Sequence, residues 1–161
     1  MILKENIFPC AKSVAGENFR KYHCYNVKSN EILKKNESQL RKVYDSFTHA
    51  KKRWVTMEEC ARYVRNMNVR VSEMMVGPIY AESLCLIIDT IRDQTRPNQM
   101  KYVEFLVFIC RIAKEHYDGT PYEKEAHYLK LDHLMGTFLA ECNLEPNFLF
   151  AEKFEHDKEL D

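Results

Sequence analysis

Glycine and proline are scarce in this chain, with 4 Gly and 5 Pro among 161 residues. That disfavours an all-β protein built on many tight turns. It also leaves no material for a glycine-rich phosphate loop of the Walker or Rossmann kind. No apolar run approaches the roughly 18 residues a membrane-spanning helix requires. The first residues do not read as a basic-then-apolar leader, because Ile2 and Leu3 are followed at once by Lys4 and Glu5. The expectation is an intracellular protein with no membrane partner. The 6 cysteines include no CxxC pair, so zinc-ribbon and dithiol redox motifs are not expected. Cys10, His23 and Cys24 are the nearest approach to a metal cluster. There is no HExxH, and His127 and His133 project from an ideal helix in different directions. There is no GxSxG either. No catalytic constellation is present, so neither an enzyme nor a cofactor is expected.

Net charge is zero but unevenly spread. Residues 1–55 carry 12 Lys/Arg against 5 Asp/Glu, and residues 56–161 carry 12 against 19, so the two parts stand at +7 and −7. A basic front part is suited to meeting an acidic partner or the acidic remainder of its own chain. Residues 1–30 show no sustained period, yet they hold Phe19, Tyr22 and Tyr25 among other large apolar groups. They are read as an irregular docking arm. The run Phe19 to Tyr25 interleaves basic and aromatic side chains in the manner of a nucleic-acid surface. One short copy in a chain of zero net charge does not sustain that reading, and nucleic acid is not an expected partner.

The rest of the chain is organised around the stretch from Leu84 to Ala113. Leu84, Ile87, Ile88 and Ile91 recur at one helix face, a polar run from Arg92 to Gln99 interrupts, and Phe105, Phe108, Ile109 and Ile112 resume. An earlier unit repeats the pattern. Leu40, Val43, Tyr44 and Phe47 mark a helix, with Asn36 and Gln39 as one capping box at its start or an earlier start near Glu31. A polar loop follows from Thr48 to Glu59. Thr56 and Glu59 then form a capping box for a helix reaching about Met67. Residues 68–83 connect the units; Ser72 caps a short turn, Gly77-Pro78 stops it, and Pro78 opens the next helix. Further on, Thr120, Pro121 and Glu123 predict the start of a long helix to about Cys142, with Tyr128, Leu131, Leu134, Met135, Phe138, Leu139 and Cys142 on its apolar face and Pro146 closing it. Phe148, Leu149, Phe150 and Phe154 precede an acidic end.

Two helix–loop–helix units with a Glu at the third position of each exiting helix resemble the EF-hand (calmodulin-like) superfamily. The resemblance covers about residues 38–115. Setting Glu59 and Glu104 at the last position of a 12-residue loop puts Val55 and Met100 at the eighth, where EF-hands pair their loops in a short bridge. The fold expected is all-α: an irregular arm (1–30), a paired EF-hand-like lobe (31–117), an additional C-terminal helix (118–144) and an acidic tail (145–161). The ligand positions do not suit calcium, which needs six to eight oxygens. The first loop offers Ala50 and Lys52 at ligand positions. In the second, only Asp93, Thr95 and Glu104 are candidate side-chain ligands, with Pro97 between them. No metal is expected, and each glutamate serves its helix N-terminus instead.

Calcium-independent EF-hand pairs with an extra helix resemble small proteins of ciliary and flagellar axonemes. The resemblance implies a non-catalytic structural protein of the cytoplasm or cytoskeleton, in a cilium or flagellum, on partners such as tubulin or axonemal proteins. The candidate partner-binding residues are Trp54, Phe19, Tyr22, Tyr25, Phe138, Phe148 and Phe150. The rival reading is a light-chain-like subunit or calcium sensor that grips a target helix.

Overall fold

The computed structural model describes residues 18–48, 52–85 and 94–150. Among these it is all-helical: six α-helices and two short helical turns, with no strand. A π-helical turn, Arg20–Cys24, leads into α1 (Val27–Lys35) and α2 (Glu37–Phe47). Then come α3 (Met57–Asn66), α4 (Glu73–Ser83), a 3-10 turn (Arg96–Asn98), α5 (Tyr102–Tyr117) and α6 (His127–Ala140). No helix among the described residues is long and apolar enough to cross a membrane.

The described part of the arm, residues 18–30, is more regular than its composition suggests; residues 1–17 lie outside the described residues. Asn26 caps α1 by accepting the Ser29 N–H at 2.9 Å. The capping box expected from Asn36 and Gln39 does not form, because Asn36 has a long-range task. It lies at the break between α1 and α2, fully buried, where its amide donates to Ile32 O and Asn147 O and accepts from Asn147 N. Gln39 likewise donates to Glu145 O. The break is thus a clamp for the segment after α6.

The capping box of Thr56 and Glu59 forms as the sequence indicates. Thr56 Oγ1 accepts the Glu59 N–H, and the Glu59 carboxylate accepts the Thr56 N–H at 2.8 Å. α3 then buries Cys60, Tyr63 and Val64.

The region after α3 departs from expectation. Gly77-Pro78 neither stops nor starts a helix; both residues lie inside α4. Proline there forfeits a backbone hydrogen bond. Burial of Val76, Ile79 and Tyr80, with packing against α3 and α5, offsets the loss. α4 ends at Ser83, and Leu84 is extended at ψ 144°. The Arg20 guanidinium donates to the carbonyls of Glu82 and Leu84, supplying partners that a helix end otherwise lacks. The helix expected to run from Leu84 is therefore not present at Leu84 and Cys85. Ile87, Ile88 and Ile91 lie outside the described residues.

α6 also begins later than the sequence indicates. Thr120 and Glu123 close a compact turn: Thr120 Oγ1 donates to Tyr117 O, and the Glu123 carboxylate accepts the Gly119 N–H. Gly119 there takes a φ of +68°, a conformation costly to side chains with a Cβ. At the far end Asn143, not Pro146, stops α6. Its φ of +55° and the bonds Leu144 N to Leu139 O and Asn143 N to Ala140 O make a Schellman cap.

α6 packs inward on α5, α1 and α2. Leu131, Leu134, Met135, Phe138 and Leu139 join one core cluster with Phe19, Leu40, Tyr63, Phe105 and Ile109. The chain after α6 is held by Asp132, a fully buried carboxylate. It accepts the N–H of Leu149 at 3.1 Å and of Phe150 at 2.6 Å. Gly136 makes room here, since a Cβ on it would meet the Phe148 ring at 3.1 Å. Asp132→Ala is expected to cost about 2 kcal/mol, as for other hydrogen bonds to a buried charge, and to release the segment after Asn147. Limited proteolysis reads this directly: new cleavage at Phe148 to Phe150 is expected, and an unchanged digest would refute the clamp.

Candidate functional site

The two interhelical loops meet back to back. Val55 and Met100, neither accessible to solvent, form an isolated antiparallel bridge with both N···O distances at 2.9 Å. This is the pairing that the loop alignment expects. Two buried tyrosines flank it. Tyr80 donates its hydroxyl to Val55 O and accepts from Met100 N, and Tyr44 donates to Met100 O and Arg53 O. Burial pushes the Tyr44 hydroxyl up to about 12, with Glu104 adding to the shift, and burial raises the Tyr80 hydroxyl as well, so both stay protonated donors. Asn98, in the second loop, accepts the Met57 N–H at the start of α3. The loops are locked to each other through backbone and side chain.

Each loop's glutamate meets a cation from its own loop. Lys52 Nζ lies 2.6 Å from both Glu59 oxygens. Burial raises the Glu59 carboxyl, but the Lys52 ammonium and the Thr56 N–H and hydroxyl outweigh it and hold the group below the usual carboxylate range. Glu104 is only 2% exposed. It accepts from the Arg96 guanidinium and from the N–H groups of Cys85 and Lys101, both at 2.7 Å. Here too burial raises the carboxyl and the Arg96 hydrogen bond leads the groups that bring it down.

The described residues therefore do not fit a calcium ion. The Glu59 and Glu104 carboxylates are turned to protein cations and amides. Thr95 accepts from Gln99, and Asp93 lies outside the described residues. Among the described residues no group of three His, Cys, Asp or Glu side chains is arranged to hold a metal; Cys10, of the sequence's nearest cluster, lies outside them.

The candidate partner residues separate into two sets. Phe138 is fully buried, with its ring 5.1 Å from Tyr63 and 5.9 Å from Phe105. Phe19 is buried under the Arg111 guanidinium. These two belong to the core and offer no surface. Phe150 packs on Tyr128 at 5.1 Å and is half-buried. Trp54 is half-buried beside the bridge, with the Lys101 ammonium 5.4 Å from its ring. Tyr22, Tyr25 and Phe148 are exposed. Tyr25 borders an apolar groove of about 370 Å³, between the start of α1 and the start of α5, where Val27 and Val103 are also exposed. Sequence reasoning missed Val27 and Val103, because a lone valine carries no local signal of an unpartnered surface. No family model, curated protein or solved structure matches this chain.

All four described histidines are held below their ordinary range, His23, His116, His127 and His133, with burial as the leading cause. His127 is the extreme, lowered to about 4 by burial and by His23, Lys130 and Lys114, although its hydrogen bond to Cys110 O opposes the shift. A histidine depressed in the folded state contributes stability above its unfolded pKa of 6.5, and that stability is lost as pH falls toward the folded value. His127 alone is expected to account for about 3 kcal/mol lost between pH 6.5 and about 4. Urea denaturation at pH 7.5 and 4.5 checks this, and His127→Gln is expected to flatten the dependence. An equal dependence in the variant would place the effect elsewhere.

Proposed function

We propose that this chain is a calcium-independent, EF-hand-like pair whose interhelical groove is filled by its own α6, serving as a non-catalytic structural part of a larger assembly. The observation that carries the reading is the position of α6. Phe138 sits between Tyr63 of α3 and Phe105 of α5, where a light chain or sensor would seat a target helix. The Tyr63 hydroxyl closes the contact by donating to Phe138 O. The Lys52–Glu59 and Arg96–Glu104 pairs support the same reading, since a protein cation does the neutralising that calcium does in a sensor.

The assembly we propose is cytoskeletal, with a microtubule of a ciliary or flagellar axoneme as the support. Its basis is the resemblance together with charge. Lys21, Lys28, Lys34, Lys35, Arg41 and Lys42 are all exposed on the front helices, and such a surface suits acidic tubulin. Co-sedimentation of the tagged chain with microtubules, in calcium and in EGTA, tests both parts. Equal retention in both, lost at high salt, is the expected result. No retention removes the cytoskeletal proposal. Binding gained or lost with calcium removes calcium independence and restores the sensor reading.

A further inference from the structure

Val27 opens α1 at 74% exposure, and Val103 stands in the first turn of α5 at 58%. Either valine alone would be an ordinary surface residue. Together they flank the groove of about 370 Å³, whose wall includes Leu33, Leu106 and Val107. Tyr25 borders the same groove at 60% exposure, and Tyr22, at 62%, lies in the turn just before it. One polar side chain is open there. Asn30 lines the groove, is exposed, and its amide has no hydrogen-bond partner among the described residues. Asn26, by contrast, spends its amide on Tyr22 O, His23 O and Ser29 N.

Charge around the groove has one sign. No charged side chain is part of its wall among the described residues. The turn and α1, which form one side, carry Arg20, Lys21, Lys28, Lys34 and Lys35 against Glu31 alone. Lys34 is exposed and follows Asn30 by four residues, so the two share a face of α1. On the opposite side, Glu104 of α5 is turned inward to Arg96 and offers no negative charge at the surface. A second cavity of about 180 Å³, between α3 and α4, shows the contrast. Its charges, Arg65 and Glu73, are paired with each other, so they do not select a partner by charge.

We propose that the groove between the starts of α1 and α5 docks an acidic peptide segment of a partner protein. An aromatic or aliphatic anchor of that segment sits against Leu33, Leu106 and Val107, its backbone meets the Asn30 amide, and its carboxylates face the basic turn and Lys34. Apolar anchoring supplies the affinity, and the charge of the rim selects the partner. The inference rests on the reading of this chain as part of an assembly and gives that assembly a point of contact.

The test uses the full chain and a fluorescein-labelled peptide of glutamates around a central Phe-Leu pair. Fluorescence anisotropy is expected to show saturable binding that weakens as salt rises. The same peptide with lysines for glutamates, and one with Ser-Ser for Phe-Leu, are each expected to bind at least about tenfold more weakly. Val27→Ser combined with Val103→Ser is expected to weaken the acidic peptide about tenfold. Both side chains are exposed, so the far-UV circular dichroism of the double variant should match the parent. Equal binding of either control peptide would overturn the proposal, and so would a double variant that binds as the parent does. A dimer in sedimentation that the double variant abolishes would give the groove to a second copy and overturn it as well. Peptide binding without microtubule co-sedimentation keeps this site and removes the cytoskeletal reading. Co-sedimentation without peptide binding keeps that reading and removes this site.

Discussion

Phe138→Ala is expected to lower the stability of this protein by about 3–5 kcal/mol. Phe138 has no solvent exposure and meets two aromatic rings, Tyr63 at 5.1 Å and Phe105 at 5.9 Å. Truncation removes both contacts and leaves a cavity where α3, α5 and α6 converge. The Tyr63 hydroxyl would still reach Phe138 O, so the backbone has little freedom to collapse into the space. A loss of this size is a large fraction of an ordinary domain's stability. Chemical denaturation gives the value, and Phe138→Leu is expected to recover about half of it by refilling part of the volume. If the alanine variant lost less than about 1 kcal/mol, α6 would not be the filling of the groove. A synthetic α6 peptide added in trans should then also fail to stabilise a chain truncated before His127.

Removing Arg96 is expected to be of similar size. Arg96→Leu leaves Glu104, 2% exposed, with its two backbone donors but without its cation. Breaking a buried ion pair by deleting one partner costs about 3–5 kcal/mol, because the remaining charge stays buried. The sign with pH follows from the depressed carboxyl. Glu104 contributes stability above its unfolded pKa that is lost as pH falls through the lower folded one. Without Arg96 the folded value rises, so the variant is expected to gain stability relative to the parent on acidification, as its carboxyl protonates. Glu104→Gln in the Arg96→Leu background should restore part of the loss at neutral pH. A neutral-pH loss below about 1 kcal/mol would show that the guanidinium is not what holds Glu104. The comparable Lys52–Glu59 pair is more exposed, and its removal is expected to matter less.

Several features were legible in the sequence for one reason: their partners are close along the chain. The Thr56–Glu59 capping box closes over three residues, and it formed. The apolar period marked Leu40, Val43 and Tyr44 of α2 and Phe105, Phe108, Ile109 and Ile112 of α5, all of which are buried. The loop phase, counted from Glu59 and Glu104, identified Val55 and Met100 as the bridging pair. Lys52 was legible as a cation at a ligand position of the first loop, but its pairing with Glu59 was not. The same locality misled elsewhere. Gly77-Pro78 reads as a breaker, yet it lies within α4. Thr120, Pro121 and Glu123 read as a helix start, yet they fold into a turn.

By itself, then, the sequence determined the all-helical class, the Thr56–Glu59 cap and the register in which two loops meet. Those depend on hydrogen bonds and periods spanning a few residues. Only the tertiary structure decided where α4 stops, that Asn36 breaks one long helix into two, and that α6 faces inward. Arg20 caps a helix 62 residues away, and Asn36 clamps a strand of chain 111 residues away. Contacts at that separation satisfy buried polar groups that no local pattern records, so packing overrides the local preference of Pro78, Thr120 and Leu84 alike.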